Sequence, residues 1–154
     1  MLSPIVLAAL CVLALLVVAS VRRVPEGHVY TFRRMGGHTR VVGSGTHLVV
    51  PLVERVAHKI SLAGAAIAVE GLRRDDGGAV HRAVVYFQVL DPQRADVVIE
   101  DIENLLRTLT RRLFGYAVIP DDNEERRRWL KQSLNAELHE RGLLIARVDL
   151  AALD

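Results

Sequence analysis

The chain opens with a run of apolar and small residues that no charged side chain interrupts. This run covers residues 1–21, and Arg22 and Arg23 follow it directly. Twenty residues rising about 1.5 Å each give roughly 30 Å of helix, which is the thickness of the hydrocarbon core of a bilayer. The pattern therefore predicts a retained transmembrane helix over residues 1–21, followed by a short connector over residues 22–27.

Two other interpretations of the apolar run stay open. A cleaved signal peptide needs basic residues before its apolar stretch and small residues at a cleavage site. No Lys or Arg precedes the run, and Ala19-Ser20-Val21 fits a cleavage site only loosely. A buried core helix is the second interpretation, but a helix that is apolar all the way round is rare in a small domain.

Beyond the connector the pattern changes to short strands. Residues 28–42 are rich in strand formers and contain Gly36-Gly37, where two adjacent glycines accept the positive φ angles of a two-residue hairpin turn. Residues 55–62 alternate between the two faces of a strand. Residues 80–90 form the longest strand candidate, and because both of its faces carry apolar residues, we expect it inside a sheet.

Helical periodicity follows the strands. Apolar residues recur on one face between Ile102 and Leu113, as in an amphipathic helix. A second helix is predicted over residues 122–141, because acidic acceptors precede it and Gly142 suits the end of a helix. Residues 143–150 indicate a closing strand. The order predicts an α+β fold: one domain over residues 28–154, mostly antiparallel sheet, with two packed helices and a closing strand.

Charge is unevenly distributed along the chain. Charged residues make up 25% and apolar residues 51%, which is typical of a globular protein. The net charge is +2, yet residues 22–59 contain seven basic residues against two acidic ones. Basic residues beside an apolar segment attract anionic headgroups and favour the cytoplasmic side. The candidate membrane-surface residues are Arg22, Arg23, Arg33, Arg34 and Arg40.

This distribution predicts a single-pass protein of the cell membrane with its domain on the cytoplasmic side. The alternative location is the extracytoplasmic face. For Arg33, Arg34 and Arg40 a second interpretation is that the guanidinium groups only solvate the outer faces of strands.

Several motifs occur in a recognisable order. A Val-Pro-x-Gly connector at residues 24–27 precedes a strand with an Arg and glycine turn, and a Gly-x-His stretch then closes on a proline. The matching positions are Val24, Pro25, Gly27, Arg33, Gly36, Gly45, His47, Pro51, Arg55 and Val56. Residues 83–115 match a strand ending in Asp-Pro with its following helix, and residues 121–149 match the last helix and strand. The chain resembles the SPFH or Band 7 family of stomatins, prohibitins and flotillins.

The resemblance implies a membrane-anchored scaffold that forms homo-oligomers and organises or regulates membrane proteins such as proteases or channels. Members of the family usually continue into a long Ala/Glu-rich helix that drives ring assembly, and the sequence ends at Asp154 without it. We therefore expect a short member, either minimal or truncated, that lacks the C-terminal coiled coil and forms smaller oligomers.

The motifs of common enzymes are not found in the sequence. Ser44 lies between two glycines but outside a G-x-S-x-G arrangement, and no GK[ST] follows them. The six histidines include no H-x-x-H pair of the kind that zinc sites use. We predict no enzyme activity and no catalytic, cofactor or metal site. Aromatic residues are only 5%, so nucleic acid is not an expected partner.

Two further functions are compatible with the pattern. The chain is alternatively a membrane-bound adaptor or inhibitor of a single partner protein, which binds through the final strand or a helix face without assembling. The third possibility is a membrane-tethered hydrolase.

Overall fold

The structure, a computed structural model, describes residues 3–51, 53–73, 79–115 and 119–152. The chain divides into two compact units, an N-terminal unit (Met1–Ile60) and a C-terminal unit (Ser61–Asp154). Every strand pairing whose register is described is antiparallel, and helices accompany the sheets, as the predicted α+β class requires. Residues 1–2 of the predicted transmembrane helix lie outside the described residues.

The N-terminal unit begins with helix α1 (Pro4–Ser20), seventeen residues of which none is buried. Proline fits at the start because the first helical N–H groups have no intrahelical partner. At about 1.5 Å per residue the helix measures roughly 25 Å, against about 30 Å for a hydrocarbon core. No helix among the described residues is long and apolar enough to cross a membrane, so the predicted transmembrane helix is wrong.

Helix α1 ends at Ser20 because the next residues pair as a strand. Strand β1 (Val21–Val24) is antiparallel to a later strand (Gly45–Leu48). The first residue of β1 is extended, with φ −85° and ψ 118°. Just beyond the pair, the N–H of Val49 donates to the carbonyl of Ser20 at 2.8 Å. Backbone groups that turn toward a neighbouring strand cannot continue the intrahelical bonds. The helix therefore stops before the first arginine.

The other strands of the N-terminal unit form a three-stranded sheet. Strand β2 (His28–Arg34) lies between β3 (Thr39–Val42) and β5 (Glu54–Ser61), while β4 is the partner of β1 described above. Strands β2 and β3 are antiparallel, with Phe32 opposite Arg40.

The hairpin between β2 and β3 turns at the two predicted glycines, but its loop is one residue longer than predicted. The N–H of Arg34 donates to the carbonyl of His38 at 2.9 Å, so Met35, Gly36 and Gly37 form the loop. The two glycines have φ 115° and 87°, a region that glycine enters without steric cost. The position of the turn is confirmed, and the two-residue length is wrong.

In the C-terminal unit, strand β7 (His81–Val89) lies between β6 (Ala65–Leu72) and β8 (Leu143–Ala152), and both pairings are antiparallel. The interior position predicted for residues 80–90 is therefore confirmed. Alternate residues of β7 are buried on one face: Ala83, Val85, Phe87 and Val89.

Within the described part of the unit, three α-helices accompany this sheet: α2 (Pro92–Ala95), α3 (Ile102–Phe114) and α4 (Asn123–Leu138). The Asp122 carboxylate caps α4 by accepting from the N–H groups of Glu124 and Glu125, each at 3.0 Å. Helix α4 ends three residues before the predicted end at 141, because residues 139–141 tighten into a 3₁₀ turn. Its buried stripe is Arg126, Leu130, Leu134 and Leu138, spaced four residues apart.

Gly142 ends this helical segment, as predicted. It is left-handed, with φ 73°, and its carbonyl accepts from the N–H groups of Leu90 and Asp91 at 2.9 and 3.1 Å. A Cβ at this position would lie 2.4 Å from the Asp91 carbonyl oxygen. Glycine is therefore required by the backbone angle and also by the space.

We expect Gly142→Ala to lower the free energy of unfolding by about 2–5 kcal/mol, since left-handed strain costs about 1–2 kcal/mol and overpacking about 1–3 kcal/mol. Gly71→Ala separates the two costs, because Gly71 has φ +70° and open space around its Cβ position. It should lose only about 1–2 kcal/mol. Gly64→Ala, with ordinary contacts, is the control. Urea unfolding measures all three, and equal losses at 142 and 71 would contradict the steric argument.

Candidate membrane-surface site

The five arginines predicted to face a membrane lie on three strands of the N-terminal unit. β1 carries Arg22 and Arg23, β2 ends with Arg33 and Arg34, and β3 carries Arg40. All five are exposed. A guanidinium stays charged at any physiological pH and donates two parallel hydrogen bonds to phosphate oxygens. Each of them is therefore chemically suited to a phospholipid headgroup, and their positions decide which act together.

Arg33 and Arg34 line one cavity with Arg55, and we call it the arginine groove. Its volume is about 260 Å³, and its remaining lining residues are Met35 and Val53. The N–H of Met35 donates to the carbonyl of Val53 at 2.9 Å, which ties the hairpin loop to the start of β5. Among the described residues that line the groove there are three cations and no carboxylate, so it favours an anion.

Arg55 also lines a second cavity, of about 370 Å³, together with Arg22. One carboxylate, from Glu54, is among the lining residues and accepts from the N–H of Val50 at 3.3 Å. The remaining lining residues are apolar: Ala19, Phe32, Val49, Pro51 and Val56. Arg55 thus connects the arginine groove to a cavity beside the end of α1.

The other two predicted arginines lie apart from this arrangement. Arg23 lines a third cavity, of about 330 Å³, next to the acidic side chain of Glu26. Arg40 lines none of the cavities described here. The structure therefore brings Arg33 and Arg34 together, places Arg22 next to them through Arg55, and separates Arg23 and Arg40.

Arg55 is the residue that the predicted site lacks. The alternation of residues 55–62 places Arg55 on one face of a strand. It does not show which other strand lies beside that one. Its position beside Arg33 depends on β5 lying next to β2, a pairing between residues about twenty positions apart. The local pattern has no signal for this contact.

Helix α1 adds a large apolar surface to the same unit. Residues 3–19 are all exposed, including Ile5 at 78%, Val18 at 74% and Leu15 at 69%. Contiguous exposed apolar surface of this kind marks a site of contact with lipid or with protein. Ala19, near the end of the helix, lines the same cavity as Arg22.

The other candidate chemistry of the sequence is engaged locally. His28 Nδ1 lies 3.2 Å from the carbonyl of Glu26, and His47 Nε2 lies 3.0 Å from the carbonyl of Gly43. No group of three or more His, Cys, Asp or Glu side chains within the described ranges is placed to hold a metal ion. Cys11 is free and exposed on α1.

Comparison with known proteins gives relatives without a stated function. The chain is 28% identical over 159 residues to uncharacterized proteins of Mycobacterium tuberculosis and Mycobacterium bovis, covering 96% of this chain and 42% of each relative. It is 27% identical over 125 residues to an uncharacterized protein of Schizosaccharomyces pombe, covering 77% of this chain and 34% of that protein.

No family model matches the chain. The chain spans about two fifths of the length of the mycobacterial relatives. The names of the relatives describe no activity, so the resemblance to the SPFH or Band 7 family stays a prediction.

We expect the Arg33→Gln/Arg34→Gln variant to bind vesicles of phosphatidylcholine and phosphatidylglycerol roughly 10- to 30-fold more weakly, because each basic side chain near an anionic surface contributes about 1 kcal/mol. Vesicle co-sedimentation measures the partition coefficient. Arg111→Gln/Arg141→Gln, which removes two exposed charges from the C-terminal unit, is the control with the same net charge. Equal losses in the two variants would show that net charge alone decides the binding.

Proposed function

We propose that the protein is a non-enzymatic scaffold of the cell membrane, similar to SPFH or Band 7 proteins. In this proposal it associates with itself and organises or regulates membrane proteins such as proteases or channels. The observation that carries the proposal is the exposed apolar helix α1 in the same unit as the arginine groove.

Helix α1 and the arginine groove both support contact with lipid. Burying apolar side chains in lipid removes them from water, which contributes about 25 cal/mol for each Å². The guanidinium groups of Arg33, Arg34 and Arg55 add attraction to headgroup phosphates, and the two contributions act together at a membrane surface. Anionic lipids are concentrated in the cytoplasmic leaflet, so we place the protein on that side.

Self-association is supported by the resemblance and by the apolar helix. The matched connector at residues 24–27 joins β1 to β2, and the matched Gly45 and His47 lie on β4. An exposed apolar helix such as α1 would remove apolar surface from water by packing against a second copy. The absence of enzyme activity is part of the proposal and follows from the lack of a recognisable catalytic arrangement in the sequence.

A second function, an adaptor for one partner protein, is favoured by a specific observation in the C-terminal unit. A basic cavity of about 310 Å³ lies between α4 and the edge strand β8. Such a cavity offers complementary charge to one acidic partner and does not require assembly of many copies.

Cross-linking of the full chain in native membranes distinguishes the two functions. The scaffold predicts a ladder of self-products in the membrane fraction, because neighbouring copies contact one another. The adaptor predicts one hetero-product of defined mass. A full chain that is recovered as a monomer in the aqueous fraction would contradict the scaffold.

A further inference from the structure

The arginine groove belongs to a unit that does not neutralise its own positive charge. Residues 1–60 contain six arginines and one lysine but only two carboxylate side chains, Glu26 and Glu54. In the described part of the C-terminal unit, seven arginines form ion pairs with carboxylates. None of the six arginines of the N-terminal unit forms an ion pair with a described residue: Arg22, Arg23, Arg33, Arg34, Arg40 and Arg55. The charge of the groove is therefore available to an anion from outside the chain.

The carboxylate that is nearest to the groove in sequence is engaged elsewhere. Glu54 accepts from the N–H of Val50 through its Oε2 at 3.3 Å, and it lines the neighbouring cavity and not the groove. The next residue, Arg55, lines both cavities. Three guanidinium groups thus share the groove, and because like charges repel, a bound anion lowers the energy of the arrangement.

The number of cations distinguishes between two kinds of phosphate. A phosphodiester carries one negative charge, whereas a phosphomonoester carries a charge of about −1.5 to −2 at neutral pH and has three strong acceptor oxygens. Each guanidinium can donate two parallel hydrogen bonds to phosphate oxygens. Three guanidinium groups without a carboxylate among the described lining residues therefore match a phosphomonoester better than a phosphodiester in charge and in donors.

An exposed apolar side chain lies beside the three arginines. Met35 lines the groove and is 76% exposed. Its N–H donates to the carbonyl of Val53 at 2.9 Å, which holds the hairpin loop at the start of β5, next to Arg55. Methionine is flexible and apolar, so it adapts to an irregular hydrocarbon surface. A ligand that carries its phosphate next to hydrocarbon fits this groove better than a fully soluble phosphate does.

We propose that the arginine groove is a headgroup site for an anionic lipid whose phosphate is a monoester, of which phosphatidic acid is the simplest. Arg33, Arg34 and Arg55 bind the phosphate, and Met35 contacts the acyl chains beside it. The inference rests on the proposed function, because it starts from lipid contact by the N-terminal unit and specifies which lipid the groove selects.

The test uses the full chain in a neutral detergent and two short-chain lipids, dihexanoyl phosphatidic acid and dihexanoyl phosphatidylglycerol. The two lipids have the same acyl chains and differ in the phosphate, so detergent affects both alike. Backbone NMR titration should give an affinity about tenfold higher for the phosphatidic acid, because charge-assisted hydrogen bonds strengthen with the charge of the acceptor. The largest shift changes should lie in residues 33–35 and 53–55.

Two single-charge variants locate the phosphate. Arg55→Gln should weaken the binding of dihexanoyl phosphatidic acid about tenfold and reduce its advantage over the phosphatidylglycerol, since a guanidinium fork is lost. Arg40→Gln removes the same charge from the same unit at an exposed residue that lines none of the cavities described, and it should leave both affinities unchanged. Circular dichroism checks that the two variants are folded.

A second pair of variants separates a lipid from a soluble phosphate. Met35→Ser should weaken the binding of dihexanoyl phosphatidic acid about fivefold, because an apolar contact is lost, and should leave the weaker binding of glycerol 3-phosphate unchanged. Val97→Ser is the control, since Val97 is an apolar side chain of the C-terminal unit that is 87% exposed. It should change neither affinity.

The proposal is overturned by equal affinity for the two lipids, by equal effects of Arg55→Gln and Arg40→Gln, or by a Met35→Ser variant that binds dihexanoyl phosphatidic acid as tightly as the unmodified chain. Tighter binding of a phosphoserine peptide than of dihexanoyl phosphatidic acid, with the same dependence on Arg55, would assign the groove to a protein partner and also overturn it.

Failure of this proposal can be distinguished from failure of the proposed function. Equal affinity for the two short-chain lipids, together with sedimentation of the full chain with anionic vesicles, would reject the phosphomonoester site and keep lipid contact. A full chain that neither sediments with anionic vesicles nor binds either short-chain lipid would reject both.

Discussion

The pairing of β1 with β4 is the constraint on which the N-terminal unit depends. The two strands pair residue for residue, and the Val49 N–H bond to Ser20 closes the end of the pair. An extended backbone at residues 21–24 cannot also be helical, so the apolar segment stops as a helix of seventeen residues. The same pairing places Arg22 and Arg23 on a strand, where alternation sends neighbouring side chains to opposite faces. Arg22 consequently shares a cavity with Arg55, while Arg23 lies beside Glu26.

The two units differ in the surfaces that their described residues present. In the N-terminal unit, helix α1 exposes apolar side chains and the arginine groove is cationic. Both features are chemically suited to contact with lipid. In the C-terminal unit, the cavity between α4 and β8 is lined by four cationic side chains and two carboxylates, and α4 side chains bond the edge of β8 at Ile145 and Leu150. The carbonyl of Gly142 accepts from the N–H groups of Leu90 and Asp91, which ties the start of β8 to the end of β7. The proposed scaffold would use the surface of the N-terminal unit, and the proposed adaptor would use that of the C-terminal unit.

Features encoded locally could be predicted from the sequence. The turn at Gly36-Gly37, the acidic start of α4 and the end of its helical segment at Gly142 each depend on residues within a few positions of one another. Features that depend on distant pairing could not be predicted. The apolar run has no internal signal that its helix ends at Ser20, because the strand that ends it lies about twenty-five residues later. The same limit explains why Arg33 and Arg34 could be proposed for the site while Arg55 could not.

The most direct test of this account is backbone NMR of the full chain in lipid nanodiscs. The account predicts extended-strand Cα chemical shifts from Val21 to Val24, cross-strand contacts between Arg22 and His47, and slow hydrogen exchange at the Val49 amide. Helical chemical shifts that continue through Arg23, with a rapidly exchanging Val49 amide, would contradict it, because the helix would then be longer than seventeen residues and β1 would not exist.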